Sequence, residues 1–263
     1  MKEKKEFKNK KPFSNRETFN ESEEFIEGRN PVIEALKSNR TIEKLYIAKG
    51  DIEGSIKIII SKAREKGIII QEMDKKGLDN MSVTKNHQGV IARVSPFEYS
   101  SVEEILEVSK EREEDPFVII LDEIEDPHNL GSIIRTANAC GAHGIIIPKR
   151  RSASVTQTVL KVSAGAAEGM KIAKVTNLNQ TIKELKDNGL WIIGTDMDGE
   201  ACYSANLKGA VGLVVGSEGK GISKLVKQNC DLIVKIPMKG TINSLNASVA
   251  GGIIIYEILR QRG

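Results

Sequence analysis

The sequence predicts an α/β protein built around a parallel sheet, and two observations predict this class. Short apolar runs without period-two alternation, which are typical of strands buried on both faces, recur from residue 117 onward. Stretches of helical length separate these runs, and a regular alternation of strand and helix is typical of doubly wound sheets. A smaller α/β unit, residues 25–95, precedes this region.

Composition bounds the class of protein. The 263 residues suffice for one large or two small domains, and a hydrophobic content of 40% is enough for a packed core. The longest apolar run contains two glycines and stops at Glu257, which favours a buried helix over a membrane span. The N-terminus has no apolar signal segment. Because Cys140, Cys202 and Cys230 have no paired spacing, we expect neither disulfides nor a zinc site, and a cytoplasmic protein without a membrane segment.

Residues 1–24 are predicted to be a disordered basic tail. The first 16 residues carry seven lysines and arginines against two glutamates, whereas the net charge of the whole chain is only +3. A basic arm of this kind is typical of contact with nucleic acid. A solvated tail that aids solubility is the alternative.

The unit at residues 25–95 alternates helix and strand. Asn30-Pro31 predicts a helix start, with Asn30 as the cap and proline at the first helical position. The predicted helices are Val32–Lys37 and Ile56–Glu65, and the predicted strands are Leu45–Ala48, Ile68–Gln71 and Gly89–Val94. Residues 96–115 are predicted to be a linker, because they are bounded by two X-Pro pairs and contain a charged helical stretch, Val102–Arg112.

The larger domain is predicted at residues 116–263. Its expected strands are Phe117–Leu121, Gly144–Ile147, Lys171–Val175, Trp191–Thr195, Gly212–Val215 and Leu232–Ile236. Its expected helices are Leu130–Cys140, Thr158–Ala167, Leu178–Asn188, Ile222–Lys227 and Asn246–Arg262. In such sheets ligands bind beyond the carboxyl ends of the strands, so the loops there are where chemistry is expected.

The first loop with chemical character, residues 126–138, follows the strand Phe117–Leu121. Asn129 is predicted to cap the next helix. Arg135 stands among small and apolar residues of that helix. It is either a surface side chain or a placed charge, and arginine is well suited to hold a phosphate.

The second loop, Gly216-Ser-Glu-Gly-Lys-Gly221, joins a strand to a helix. Its glycines allow tight turns and close approach of a ligand. It matches neither the P-loop nor the dinucleotide fingerprint. Glu218 argues against a phosphate here and suits a donor-rich partner such as a ribose, an amine or an arginine. A glycine turn with a solvated glutamate is the alternative.

The third loop leads from Ile236 into a final helix that is apolar nearly all round. A helix apolar on every face is predicted to be buried on every face, so the polar residues at its start need partners from a ligand or a second subunit. These residues are Thr241, Asn243, Ser244, Asn246 and Ser248. Ser244 or Asn246 could also simply cap the helix. Ser244 has no evident His or Asp partner for hydrolase chemistry, and the three histidines form no cluster, so no metal is implied.

Taken together, the three loops resemble the three motifs of the SpoU (TrmH) family of RNA ribose 2′-O-methyltransferases, within the SPOUT class. The matching segments are Asn129-Leu-Gly-Ser-Ile-Ile-Arg135, Gly216-Ser-Glu-Gly-Lys-Gly221 and Ile236-Pro-Met through Ser244-Leu-Asn-Ala-Ser-Val-Ala250. Glu27-Gly-Arg-Asn-Pro-Val32 and Asn86-His-Gln-Gly-Val90 resemble the L30e-like RNA-binding domain of the RlmB-like subgroup, which methylates a guanosine ribose in the peptidyl-transferase loop of 23S rRNA.

The resemblance implies a SPOUT-type parallel sheet with a C-terminal trefoil knot, preceded by the L30e-like domain. It implies S-adenosylmethionine as cofactor, RNA as substrate and a homodimer formed through the knot. The cofactor-binding residues it implies are Gly216, Ser217, Gly221, Ile236, Met238 and Leu245. The catalytic residues it implies are Asn129, Arg135, Glu218, Ser244 and Asn246. Glu218 and Asn129 would orient Arg135, which would clamp a substrate phosphate.

Other substrates and roles remain open at the level of sequence. A tRNA or resistance-type rRNA 2′-O-methyltransferase would share these motifs, and a catalytically silent RNA-binding or ribosome-assembly protein would share the fold. The run Lys149-Arg-Arg151 is either a phosphate-contacting cluster or a solvated charge run.

Overall fold

The computed structural model describes residues 24–37, 41–50, 53–82, 84–95, 97–241 and 244–263. In these ranges the chain forms two sheets, one of four strands and one of six. The predicted basic tail, except Glu24, and Asn243 of the third loop lie outside the described residues. Within the same ranges, no helix is both long and apolar enough to cross a membrane.

The N-terminal sheet is mixed and has the order β1-β4-β2-β3. Its strands are β1 (Glu24–Glu27), β2 (Ile42–Ala48), β3 (Ile69–Met73) and β4 (Val90–Val94), and its helices are α1 (Arg29–Lys37), α2 (Ser55–Glu65) and α3 (Lys75–Met81). Only β2 and β3 pair in parallel. The apolar residues of α1 and α2 pack on β2 and β4 in one buried cluster.

Three local predictions for this unit need correction. Helix α1 begins at Arg29, so Asn30 lies inside the first turn and does not cap the helix. Strand β1 was not predicted, because its four residues are too few for a periodic pattern. Helix α3 was also not predicted. It carries a glycine in its first turns, and it begins because the Asp74 side chain accepts a hydrogen bond from the amide of Gly77, 2.8 Å away.

The six-stranded sheet has the order β10-β8-β9-β5-β6-β7, and all its neighbouring strands run parallel. The strands are β5 (Phe117–Asp122), β6 (Gly144–Pro148), β7 (Lys171–Val175), β8 (Trp191–Ala201), β9 (Val211–Gly216) and β10 (Leu232–Lys235). Every residue of β5 and β9 is buried, as expected for central strands covered on both faces. The predicted parallel α/β class is therefore confirmed.

Helices cover both faces of this sheet. They are α4 (Val102–Glu111), α5 (Pro127–Ala139), α6 (Gln157–Val162), α7 (Leu178–Asp187), α8 (Lys224–Asn229) and α9 (Ala247–Arg262). Helix α4 falls within the predicted linker but packs on this sheet. Its Ile105 is fully buried, and a Cβ atom on Gly144 would stand 2.6 Å from that side chain. Gly144 therefore makes room for α4.

Helix α9 is less buried than its composition predicts. It packs against α5 and β9, where Ile254, Ile255 and Ile258 are buried. Its opposite side exposes apolar side chains, namely Val249 (49% exposed), Ile253 (41%), Tyr256 (55%) and Leu259 (38%). One chain therefore buries one side of this helix and leaves the other side exposed, so burial on every face, as the sequence predicts, would need a second subunit.

A polar seam joins the two sheets. Glu43 of β2 and Lys174 of β7 form an ion pair of 2.5 Å, and their side chains are only 5% and 9% exposed. Lys174 Nζ also donates to the Ser154 hydroxyl, 2.7 Å away, and the same hydroxyl donates to Glu43. Burial lowers the pKa of Lys174, and the charge of Glu43 opposes that shift. Lys149 Nζ donates to the carbonyl oxygen of Lys66 in the first unit.

Candidate active site

A cavity of about 540 Å³ lies at the carboxyl ends of β9 and β10 and beside the middle of β8. Its walls come from the second and third loops and from the first turns of α9. All six residues predicted to bind a cofactor line the cavity, namely Gly216, Ser217, Gly221, Ile236, Met238 and Leu245. Glu218 and Ser244, which are predicted to be catalytic, line it as well. The sheet topology therefore brings together two loops that are about 20 residues apart in sequence, because they follow β9 and β10, the two parallel strands on either side of β8.

The second loop is a tight turn with a glycine that geometry requires. Ser217 and Gly221 exchange two backbone hydrogen bonds of 3.1 and 3.0 Å, which close the turn over Glu218. A Cβ atom on Gly216 would stand 2.2 Å from the carbonyl carbon of Gly221. Gly219 and Gly221 have φ of 78° and 66°, values that favour glycine. The loop can therefore bring its backbone close to a ligand in the cavity.

A cluster of two amides and one carboxylate ties the three loops together. Asn129 Nδ2 donates to Glu218 Oε1 over 3.0 Å, and Asn246 Nδ2 donates to Asn129 Oδ1 over 2.9 Å. Glu218 Oε1 also accepts from Asn246 Nδ2 and from the backbone amide of Ala247. Each residue comes from a different loop, so the cluster fixes the relative positions of all three.

Asn246 also caps α9, as the sequence predicted for either Asn246 or Ser244. Its Oδ1 accepts hydrogen bonds from the amides of Ser248 and Val249, at 3.0 and 3.3 Å. The prediction that Asn129 caps α5 is wrong. Asp126 is the cap, because its carboxylate accepts from the amide of His128 and Pro127 opens the helix. Asn129 lies inside the first turn and is thereby free to face Glu218.

Arg135 lies six residues beyond Asn129 on α5, and its side chain is exposed. In the described part of the chain, no hydrogen bond or ion pair joins its guanidinium to another residue. The expectation that Glu218 and Asn129 orient Arg135 is therefore not met in this chain, since both are engaged with each other and with Asn246. The structure brings together Asn129, Glu218 and Asn246 but leaves Arg135 facing outward.

Sequence reasoning missed one wall of the cavity. Thr195, Asp196 and Met197 of β8 line it. A signal for them was present, because the predicted strand Trp191–Thr195 ends next to the glycine loop, and loops at that edge are where ligands bind.

The basic run Lys149-Arg-Arg151 is not a single cluster. Lys149 is half-buried at the seam, where burial lowers its pKa, and Arg151 pairs with Glu123 at 2.8 Å. Arg150 is exposed. Two of the three histidines likewise have local partners: His87 contacts Asp79, and His143 contacts Glu114. No group of three or more His, Cys, Asp or Glu side chains within the described ranges is placed to hold a metal ion.

Two family models match the chain in the same two regions. The model described as the SpoU rRNA Methylase family matches residues 116–256. The model described as RNA 2′-O ribose methyltransferase substrate binding matches residues 25–100. A relative from Bacillus subtilis (strain 168), YacO, whose name assigns it to the TrmH family of tRNA/rRNA methyltransferases, is 49% identical over 237 residues, covering 89% of this chain and 94% of its own length.

Solved structures share the fold. The SpoU methyltransferase AviRb from Streptomyces viridochromogenes, in complex with AdoMet, superposes with a TM-score of 0.57 at 24% identity, over 91% of this chain and 90% of its own. An AdoMet-bound rRNA methyltransferase from Sinorhizobium meliloti gives a TM-score of 0.56 at 25% identity, over 91% and 87% of the two chains. Both matches extend over the two described sheets together.

Proposed function

This chain belongs to the SpoU (TrmH) family of RNA methyltransferases, and we propose that it transfers a methyl group from S-adenosylmethionine to a ribose 2′-oxygen of RNA. The observation that carries the proposal is the cluster of Asn129, Glu218 and Asn246, which joins the three family motifs around one cavity. We further propose a guanosine of 23S rRNA, in the peptidyl-transferase loop, as the target. The match of residues 25–100 to a substrate-binding model supports an RNA substrate, and the choice of 23S rRNA follows from the resemblance of the first domain to the RlmB-like subgroup.

The cavity fits the proposed cofactor in size and lining. Its volume of about 540 Å³ lies in the range of pockets that hold cofactors. Ile236, Met238 and Leu245 offer an apolar surface suited to an adenine ring, and the turn at Gly216 allows a close backbone approach. We propose that these residues, with Ser217 and Gly221, hold the adenosine part.

The chain's own residues would position the substrate and not activate it by covalent chemistry. The cofactor supplies an electrophilic methyl group on a sulfonium, so the reaction mainly requires an aligned oxygen and the removal of its proton. Arg135 is exposed and unpaired within the described residues, which supports the proposal that it holds an RNA phosphate. Ser244 lines the cavity and Asn246 caps α9 two residues further on, and we propose that they contact the ribose or the cofactor. A guanidinium stays protonated at neutral pH, so we assign Arg135 the clamp.

We also propose a homodimer formed through α9, and the trefoil knot of the family. The side chains of Val249, Ile253, Tyr256 and Leu259 form an exposed apolar strip along this helix, and a second copy would bury it. Strand β10 lies at the sheet edge, yet α9 packs on α5 and β9 near the centre. The chain therefore returns from the edge of the sheet to its centre between β10 and α9, as a C-terminus threaded through a knot would have to do. We also propose the division of the chain into a tail (1–24), a first domain (25–95), a linker (96–115) and a larger domain (116–263). Helix α4 of the linker packs on the larger domain.

The test is methyl transfer from labelled S-adenosylmethionine to unmodified 23S rRNA and to bulk tRNA, with the modified nucleotide mapped by ribose-methylation stops. One 2′-O-methyl in the peptidyl-transferase loop is expected. A tRNA product would keep the reaction and change the substrate. Arg135→Ala should abolish transfer while leaving cofactor binding and the unfolding midpoint unchanged, and Arg112→Ala, an exposed arginine just after α4, is the matched control. A methyl on a base, or no transfer to either RNA, would contradict the proposal.

A further inference from the structure

Asp196 is a carboxylate in the cavity wall that the family motifs do not include. It lies in β8, two residues beyond Gly194, which pairs with Val214 of β9. It therefore stands level with Gly216, where the glycine loop begins. Its Oδ2 atom lies 3.7 Å from the position that a Cβ atom on Gly221 would take. The side chain is 19% exposed, so one edge of it is open to the cavity.

One oxygen of Asp196 is held from behind. Lys227 Nζ contacts Oδ1 at 3.1 Å, and the backbone amide of Asp198 donates to the same oxygen over 3.2 Å. The hydrogen bond to Asp196 raises the pKa of Lys227, followed by its contact with Asp198. No residue in the described part of the chain donates to Oδ2. The orientation of the Asp196 carboxylate is thus fixed through Oδ1, and Oδ2 can still accept a hydrogen bond.

The other carboxylate of the cavity holds the loops together. Glu218 Oε1 accepts from Asn129, Asn246 and the amide of Ala247, so a ligand that drew Glu218 away would disturb this cluster. Asp196 takes no part in the cluster, so its Oδ2 atom can accept from a ligand without moving the loops. Its position, one strand over from a glycine-rich turn, is where doubly wound nucleotide-binding sheets place the acidic residue that accepts from ribose hydroxyls.

From this geometry we propose that the Asp196 carboxylate binds the ribose hydroxyls of the nucleoside cofactor, and that Lys227 is a positioning residue that holds it in place. The inference rests on the proposed function, because it takes an adenosine derivative as the ligand of the cavity. A hydrogen bond from a hydroxyl to a charged acceptor in a partly dry site discriminates well against ligands or variants that lack it.

Calorimetric titration of Asp196→Asn with three ligands tests the proposal: S-adenosylmethionine, S-adenosylhomocysteine and 5′-methylthioadenosine. All three carry the ribose. The second lacks the sulfonium charge, and the third lacks the charge and the amino-acid end. Loss of a charge-assisted hydrogen bond is expected to weaken all three by the same factor, about 10- to 100-fold. Asp198→Asn is the matched control, because Asp198 also pairs with Lys227 but is 86% exposed and does not line the cavity. It should change affinity less than about twofold.

Three results would overturn the inference. Unchanged affinity of Asp196→Asn would remove Asp196 from the site. A loss absent for 5′-methylthioadenosine would place it at the amino-acid end, and a loss seen with S-adenosylmethionine alone would place it at the sulfonium. If Asp196→Asn does not fold, the double variant Asp196→Asn/Lys227→Met removes both charges of the partly buried pair, leaves only the exposed Asp198 without its partner, and must show the same loss. Failure of the unaltered protein to bind any of the three ligands would instead refute the proposed function.

Discussion

The buried ion pair between Glu43 and Lys174 is predicted to decide whether the two sheets stay docked. Its side chains are 5% and 9% exposed, so solvent does not screen the interaction as it would at the surface. Lys174→Met leaves the Glu43 carboxylate buried beside the hydroxyls of Ser154 and Tyr99 but without the cation that pairs with it. Removing one member of a buried pair costs about 3–5 kcal/mol, because a lone charge stays desolvated.

The unpaired charge of Glu43 in Lys174→Met is expected to change the shape of the urea unfolding curve. Undocking the sheets returns Glu43 to water, so Lys174→Met is expected to show a separate transition at low urea, before the main one. The double variant Glu43→Leu/Lys174→Met removes both charges and is expected to lie within about 1 kcal/mol of the unaltered protein or above it. The two single effects are therefore strongly non-additive.

Urea unfolding followed by far-ultraviolet circular dichroism and by the fluorescence of Trp191, the single tryptophan, measures both effects. Trp191 lies in β8, so its signal reports on the larger domain. Lys37→Met is the matched control, because its pair with Glu34 is 54% and 70% exposed and is worth at most about 1 kcal/mol. A single transition with a loss below about 1 kcal/mol in Lys174→Met would refute the reasoning.

Three further predictions follow from single positions. Gly216→Ala should lose cofactor binding and about 1–3 kcal/mol of stability, because its Cβ would stand 2.2 Å from backbone; binding equal to that of the unaltered protein in a calorimetric titration would contradict this. Burial lowers the pKa of His143, so below its ordinary pKa the unfolded state binds a proton more readily than the folded state does. The free energy of unfolding should therefore fall as the pH drops below about 6.5, by at most ~1.4 kcal/mol per pH unit for this one group. His143→Gln should flatten that slope in urea midpoints measured from pH 7.5 to 5.5, and an unchanged slope would rule the histidine out as its source. Ile253→Asp on the exposed side of α9 should give a monomer in sedimentation velocity, and a dimer that persists would place the contact elsewhere.

Local signals determined most of the secondary structure. The strands of the larger sheet are buried on both faces, so in the sequence they are short apolar runs, and such runs indicate buried strands. Their predicted bounds agree with β5, β6, β7 and β9 to within one residue. Short elements without such a pattern, such as β1 and α3, could not be predicted. Caps were harder still: Asp126 and Asn129 are both good capping residues, and only the observed start of α5 at Pro127 distinguishes them.

The sequence by itself determined the fold class, the family resemblance and the three loops that carry chemistry. Each of these depends on residues that are neighbours in the chain, such as the turn of Gly216 to Gly221. Only the tertiary structure decided which side chains meet. The contact of Asn129 with Glu218 and Asn246, the place of Asp196 in the cavity and the burial of Glu43 against Lys174 all join residues that are many positions apart. Such contacts follow from the order of strands in the sheet, and that order is set by packing over the whole domain and not by any local pattern.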